Sequence, residues 1–171
     1  IRRQRQMCIR DRSKKAIEEP VRQLNVTYSE DAIEKIVAVT KGYPFFIQQL
    51  CQIIYKRTDE TTIRAEHVEK CIGEFFDRLD TGFFRSRYER CAESDKKFIF
   101  AMVRCGELPC TISNVAKNLH KNVNSISTTR AQLINKGIIY PVRYKELDFT
   151  VPEFSGYIKR LDEYRQWSET V

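Results

Sequence analysis

The sequence has no uninterrupted apolar run approaching the roughly 20 residues that a membrane-spanning helix requires. It also has no apolar leader, so we expect neither membrane insertion nor secretion, and we expect a cytoplasmic protein. Only 2 histidines occur among the 171 residues, and no serine, histidine and carboxylate stand at a spacing suggestive of a catalytic group. Nothing therefore supports hydrolase or transferase chemistry within this chain.

Cysteine is present without the pairing that metal and redox motifs show. The 6 cysteines are scattered and none forms a Cys-x-x-Cys pair, which predicts free thiols in a reducing compartment. Cys105, Cys110 and His120 are the nearest approach to a zinc set. Four residues separate the two cysteines and no fourth ligand accompanies them, so we expect no metal. We expect His67 to lie on the surface.

Glycine is scarce, with 6 residues. None of them forms the glycine-rich loop ending in Lys-Ser/Thr whose backbone N–H groups cradle nucleotide phosphates. That cradle supplies most of the anchoring of a bound nucleotide. We therefore expect no tight nucleotide binding and no catalysis by this chain alone.

Residues 1–12 differ from the rest of the chain, because they hold five arginines and one aspartate with little apolar periodicity. One interpretation is a basic arm for nucleic acid. The other is a non-native leader, because residues 7–12 are also a literal translation of the end of a transposase adapter used in sequencing libraries. We favour the leader and begin the fold at residue 13.

Residues 13–75 contain four successive helical patterns. Ser29 is a good N-cap for the second helix, and Gly42 is well placed to end it in a left-handed conformation. Pro44 opens the third helix at a favourable first position, and the fourth runs from about residue 65 to residue 76. Short connections between these helices predict a compact four-helix bundle, and its net charge is −1.

Residues 93–165 carry a net charge of +4 and a different order of elements. Ser94 is a candidate cap for a first helix, and Thr111 or Ser113 for a second. A third helix over residues 125–136 precedes an alternating hairpin and a last helix. Helix, helix, helix, hairpin and helix predict a winged helix-turn-helix domain with a small β-hairpin. The protein is thus expected to be mainly α, with a linker helix over residues 76–92 and a tail over residues 166–171.

Three segments carry a family resemblance. They are Ala16-Ile17-x-x-Pro20, Gly42-Tyr43-Pro44 and Leu79-Asp80-x-x-Phe83-Phe84-x-x-Arg87-Tyr88. They resemble the C-terminal lid and winged helix of AAA-type ATPases, in particular the origin-recognition-like and STAND groups.

The resemblance implies a nucleotide site to which this chain contributes only the lid. Gly42, Tyr43 and Pro44 would lie over the adenine of ATP or ADP, bound with Mg by the intact parent and its missing N-terminal ATPase domain. Many such lids continue Gly-x-Pro-Arg, where the arginine reaches the terminal phosphate. Phe45 stands at that position here, and its ring cannot bond phosphate.

The winged-helix segment has residues suited to contacting double-stranded DNA. The third helix would turn small polar side chains outward, and positive charge would surround it, which predicts phosphate contacts more than base recognition. Six such contacts would give a log–log salt slope of about −5. The DNA-binding candidates are Lys117, Lys121, Ser127, Thr128, Arg130, Gln132, Lys136, Arg143 and Lys145.

Two other interpretations stay open. The chain could be a stand-alone winged-helix transcriptional regulator, in which residues 13–75 form an effector or dimer domain. Alternatively, the winged helix could bind a protein partner and no DNA, because winged helices inside ATPases often pack against neighbouring domains.

Overall fold

The computed structural model describes residues 11–170. The leader predicted over residues 1–12 lies, apart from its last two residues, outside the described residues. The described part is mainly helical, with a small three-stranded antiparallel sheet and one two-stranded parallel pair. It divides into two compact units between Leu79 and Asp80. No helix within residues 11–170 is both long and apolar enough to cross a membrane.

The N-terminal unit consists of helices joined by short connections. A helix over residues 11–18 (α1) continues into a 3-10 turn, and a short strand then precedes the second helix. The bounds are Glu19–Val21 for the 3-10 turn, Thr27–Tyr28 for β1, Glu30–Thr40 for α2, Pro44–Arg57 for α3, Thr62–Ile63 for β2 and Ala65–Arg78 for α4.

Helices α2, α3 and α4 pack on one another around a single apolar core. Each turns one stripe of aliphatic or aromatic side chains inward, as the spacing of three and four residues predicts. Pro44 is the first residue of α3, where its missing N–H costs no hydrogen bond. The largest fully buried side chains of these helices are Ile33, Ile36, Phe46, Ile47, Leu50, Ile53, Ile54 and Phe75.

A parallel pair of two-residue strands, β1 and β2, was not predicted. The pair aligns Thr27 with Thr62 and Tyr28 with Ile63. Ser29 occupies the N-cap position of α2 as expected, but its side chain does not cap the helix. Its Oγ instead donates a hydrogen bond of 2.9 Å to the carbonyl of Ile63, so the hydroxyl extends the strand pairing.

The predicted connector over residues 76–92 is three helical stretches in the structure. Helix α4 continues to Arg78, a π-helix spans Leu79–Phe84, and α5 spans Arg85–Tyr88. In the C-terminal unit the ring of Phe84 stacks on Tyr157 at a centroid distance of 5.4 Å. Because Phe84 is fully buried, its ring is part of the core of the C-terminal unit.

The remaining elements of the C-terminal unit follow the predicted order, with one strand and one helix more. Their bounds are Glu93–Arg104 for α6, Cys110–Thr111 for β3, Ile112–Asn118 for α7, Asn124–Ile126 for a 3-10 turn, Ser127–Asn135 for α8, Ile139–Arg143 for β4, Glu146–Phe149 for β5, Phe154–Arg160 for α9 and Asp162–Thr170 for α10.

Helix α6 is the centre of this unit, because α7, α8, α9 and α10 all pack against it. Its apolar face is completely buried at Phe98, Ile99 and Met102. The sheet has the order β3-β5-β4 and is antiparallel throughout. Leu147 and Phe149 alternate along β5 and turn into the core, as the sequence predicts. Strand β3 was missed because two residues give no alternation to detect.

The two ends of the C-terminal unit have features that the sequence did not suggest. Ser94 does not cap α6; Ala92 is at the N-cap position, and its N–H donates a hydrogen bond of 3.0 Å to Asp95 Oδ2. Residues 166–170, which were expected to form a tail, belong to α10. That helix is held by aromatic packing, with the Trp167 ring 5.7 Å from Phe100 between centroids.

Candidate functional site

The outward surface of α8 is polar and uncharged. Leu133 is fully buried and fixes the inner side of the helix. The DNA-binding candidates Ser127, Thr128 and Gln132 are all exposed on the other side. The 3-10 turn before α8 leads the chain into the helix, and Ser127 Oγ donates to the Asn124 carbonyl at 2.7 Å. The helix thus offers hydrogen-bonding groups to a ligand without presenting a charge.

Four cations of the C-terminal unit lie in the segments that precede and follow this helix in the chain. Lys117 lies in the last turn of α7, Lys121 follows α7, and Arg143 and Lys145 belong to the hairpin of β4 and β5. All four are exposed. Within the described residues none of them forms an ion pair with a carboxylate. Their charge is available to an anionic ligand.

The other two basic candidates are placed differently. Lys136 Nζ lies 2.5 Å from Oδ2 of Asp95, a carboxylate with no exposed surface. The hydrogen bond to Asp95 raises the pKa of Lys136, so the ammonium stays charged and engaged. Arg130 is half-buried, and its Nε is shut off from solvent without a hydrogen-bond partner. Both were predicted as phosphate contacts, and in the structure Lys136 has a partner within the protein.

The hairpin that follows α8 exposes aromatic, aliphatic and basic side chains. Four of the five residues of β4 are exposed, and β4 is an edge strand of the sheet. Tyr144 at the turn is 86% exposed, and Lys145 Nζ lies 5.0 Å from the centre of its ring. Val142 and Tyr140 add apolar surface. An aromatic ring beside a cation at a hairpin tip suits contact with sugars, bases or an apolar protein surface.

A groove of about 680 Å³ opens beside the turn that precedes α8. Lys97 of α6 and Lys121 contribute positive charge to its wall, and Glu93 and Glu163 contribute negative charge. Trp167 forms part of its apolar lining. Because the charges balance, the groove itself favours no anionic ligand.

In the N-terminal unit, the predicted lid turn has a tight backbone. Lys41 and Gly42 both adopt left-handed conformations, with φ of 52° and 69°. The Tyr43 N–H donates to the Thr40 carbonyl at 3.0 Å and closes the turn before Pro44. The left-handed segment thus begins one residue earlier than predicted. Tyr43 and Gly42 are half-buried, so the turn offers both backbone and a ring edge at the surface.

Phe45 and Phe46 differ in burial at the start of α3. Phe45 is 39% exposed, whereas Phe46 has no exposed surface. The Phe46 ring packs 4.7 Å from Tyr43 and 6.0 Å from Phe75, measured between centroids. Phe46 therefore anchors the turn, and Phe45 keeps part of its ring at the surface beside it.

The histidine and cysteine predictions have different outcomes. His67 is buried, contrary to expectation, because its Nδ1 accepts a hydrogen bond of 3.0 Å from the Arg64 N–H at the start of α4. Within residues 11–170 no cluster of three or more histidine, cysteine and carboxylate side chains could hold a metal ion. The described cysteines are all free thiols.

Comparison with known proteins gives no assigned function. Residues 81–158 match the model of a family described as a domain of unknown function, DUF8462. A solved structure of a RuvB mutant from Thermotoga maritima is similar over 88% of this chain and 48% of its own length, with 15% identity and a TM-score of 0.38. The chain thus spans about half the length of that structure. No curated protein matches the chain.

Proposed function

We propose that the C-terminal unit is a winged helix that contacts double-stranded DNA mainly through its phosphates. The N-terminal unit is, in this proposal, the lid of an AAA-type ATPase. The intact protein would bind ATP or ADP with Mg through an N-terminal ATPase domain beyond this sequence. The chain alone would be catalytically inactive, since it has no phosphate-binding loop.

The observation that carries the DNA proposal is the surface around α8. Ser127, Thr128 and Gln132 are exposed on α8, and all three side chains are polar and uncharged. Exposed cations lie on α7, after α7 and in the hairpin, the segments next to α8 in the chain. Polar groups at the centre with positive charge at the rim suit a helix in a groove between two phosphate backbones.

The order of elements supports the same proposal. Helix α6 is followed by β3, α7, α8 and the β4–β5 hairpin, which is the order of a winged helix. In such an architecture the third helix and the hairpin face the duplex together. The exposed cations Arg143 and Lys145 lie in that hairpin.

The lid proposal draws on the turn before α3. The left-handed backbone at Gly42 and the rigid φ of Pro44 bring the main chain close to any ligand above the turn. Tyr43 is held by its ring contact with Phe46 and is therefore pre-organised. A turn of this kind could cover an adenine. An upstream reading frame with a Gly-x-x-x-x-Gly-Lys-Ser/Thr loop would support the ATPase, and its absence would favour the stand-alone regulator.

DNA binding is tested by fluorescence anisotropy of a labelled duplex titrated with the chain at several salt concentrations. Lys117, Lys121, Arg143 and Lys145 give four phosphate contacts, which correspond to a log–log slope of about −3.6. Affinity should then fall about 150-fold between 50 and 200 mM salt. Lys121→Glu combined with Arg143→Glu should weaken binding strongly and lower the slope to about −2.

The matched control reverses two lysines elsewhere, Lys70→Glu with Lys159→Glu. Lys70 is exposed on α4 of the other unit, and Lys159 is exposed on α9. This variant has the same net charge as the test variant and should keep most of the affinity. Equal losses in the two variants would mean that net charge alone governs binding. No binding at 50 mM salt would remove the DNA proposal and favour a protein partner.

A further inference from the structure

The turn of the β4–β5 hairpin carries an aromatic ring that lies almost entirely in solvent. Tyr144 is 86% exposed, more than any other large apolar side chain described within residues 11–170. Tyr140 and Val142 of β4 are exposed as well, at 42% and 37%. A single exposed ring is ordinary on a protein surface, but large apolar side chains that are exposed together mark a binding surface.

The backbone under this ring is fixed. Tyr144 and Lys145 form the turn between the two strands, and Lys145 has a left-handed φ of 64°. The Lys145 carbonyl accepts a hydrogen bond of 2.9 Å from the N–H of Ile112 at the start of α7. Because Ile112 is buried, this bond ties the turn to the core of the unit. A ligand of the ring therefore need not order the backbone that carries it.

Two cations accompany the ring. Arg143 precedes Tyr144 and Lys145 follows it, and both are exposed. Lys145 Nζ lies 5.0 Å from the centre of the Tyr144 ring. Neither cation forms an ion pair with a carboxylate in the described part of the chain, and the neighbouring acid Glu146 is half-buried. A flat ring beside positive charge suits a ligand that has both a planar group and a negative charge, as a nucleotide has.

The state of the nucleotide follows from the geometry of DNA. In an intact duplex each base face is covered by its neighbours in the stack, so a ring reaches a base only by separating a base step, which costs energy. An unpaired base has a free face and stacks on an aromatic side chain whatever its sequence. An apolar protein surface would gain nothing from the two cations, so the charge favours nucleic acid over a protein partner.

We propose that the hairpin turn binds unpaired nucleotides next to a DNA duplex, with the Tyr144 ring stacked on a base and Arg143 and Lys145 at the adjoining phosphates. This inference rests on the proposed duplex contact of the same unit and extends it to a substrate class, which is duplex DNA with a single-stranded tail. Helix α8 contacts the paired region, and the turn contacts the tail.

The test measures the binding of the whole chain to two labelled probes by fluorescence anisotropy. One probe is a blunt duplex, and the other is the same duplex with a single-stranded thymidine tail. The chain should bind the tailed probe more tightly, and Tyr144→Ala should lower the affinity for that probe by about 5- to 150-fold. Tyr144→Phe keeps the ring and should keep the preference, whereas Tyr144→Leu keeps only apolar bulk and should lose it.

The matched control is Tyr55→Ala, which removes another exposed tyrosine. Tyr55 is 46% exposed on α3 of the other unit, so its loss should change the affinity for neither probe. Because Tyr144 is also a surface residue, Tyr144→Ala should keep the thermal midpoint of the wild type. Equal losses of affinity in the two alanine variants would contradict a specific contact at the hairpin turn.

Stacking has two readouts that a merely structural role of Tyr144 would not move. The fluorescence of aminopurine placed in the tail should change when the whole chain binds, and this change should be absent in Tyr144→Ala at saturation. Tyr144→Ala should leave the salt dependence unchanged, since no phosphate contact is lost. Lys145→Gln should reduce its steepness on a single-stranded probe by about 0.7.

The outcomes separate this inference from the proposed function. Binding to the blunt duplex without a preference for the tail would overturn the stacking and leave the duplex contact in place. A preference that survives in Tyr144→Ala or in Tyr144→Leu would also overturn the stacking. Binding to the tailed probe alone, lost in Tyr144→Ala, would support the stacking and remove the duplex contact. Binding to neither probe would overturn both and favour a protein partner for the turn.

Discussion

The first turn of α3 allows a sharp test of which ring supports the N-terminal unit. Phe46 has no exposed surface and contacts the rings of Tyr43 and Phe75. Its truncation to alanine removes a fully buried ring and leaves a cavity, which costs about 3–5 kcal/mol. Phe45 keeps 39% of its surface in solvent. Full burial of such a side chain is worth about 1.5–3 kcal/mol, so Phe45→Ala should cost only about 1–2 kcal/mol.

The difference between the two alanine variants is measured by urea denaturation followed by far-ultraviolet circular dichroism. We expect Phe46→Ala to lower the free energy of unfolding by about 2–3 kcal/mol more than Phe45→Ala. Phe46→Leu should fall between wild type and Phe46→Ala, since it retains part of the buried volume. Hydrogen exchange of the α2, α3 and α4 amides would assign the loss to this unit. Equal destabilisation by the two alanine substitutions would refute the assignment of Phe46 as the core ring.

Two further predictions concern single charges of the C-terminal unit. Lys121→Gln should reduce the steepness of the salt dependence of DNA affinity by about 0.9, whereas Lys136→Gln should leave it unchanged, because Asp95 already engages Lys136. If anisotropy titrations showed the same reduction in salt dependence for both variants, Lys136 would also be a phosphate contact. Burial raises the pKa of Asp148. Above the folded pKa, ionisation of this carboxyl therefore lowers the free energy of unfolding. Below the unfolded pKa the carboxyl is protonated in both states, and this loss is absent. Asp148→Asn should therefore raise the thermal midpoint at pH 7 and leave it unchanged at about pH 3, near or below the unfolded value; a lower midpoint at pH 7 would contradict this.

The helices were predictable because their signals are local. The left-handed Gly42 before Pro44 and the apolar stripes of α2, α3 and α6 depend on neighbours within one or two turns. The Leu147 and Phe149 alternation likewise identified the return strand of the hairpin. The two-residue strands β1, β2 and β3 carry no such signal, because their pairing partners are far away in the sequence.

Errors at single residues arose where a distant partner decides the role of a side chain. Ser29 was expected to cap α2, yet its hydroxyl bonds the carbonyl of Ile63. His67 was expected on the surface, but it accepts a hydrogen bond from the Arg64 backbone and is buried. The sequence likewise did not indicate that Lys136, a predicted phosphate contact, also bonds a buried carboxylate 41 positions away in sequence. No local pattern contains these partners.

The amino-acid sequence by itself determined the order of the helices, the hairpin and the polar character of α8, because periodicity and turn residues act over short stretches of chain. It also determined that no phosphate-binding loop is present within these residues. The tertiary structure alone decided which cations form no ion pair within the described residues, which ring of the Phe45-Phe46 pair is buried, and that the Asn118 amide bonds Cys105 Sγ. Those outcomes depend on packing between separate elements, and only the folded chain brings such elements together.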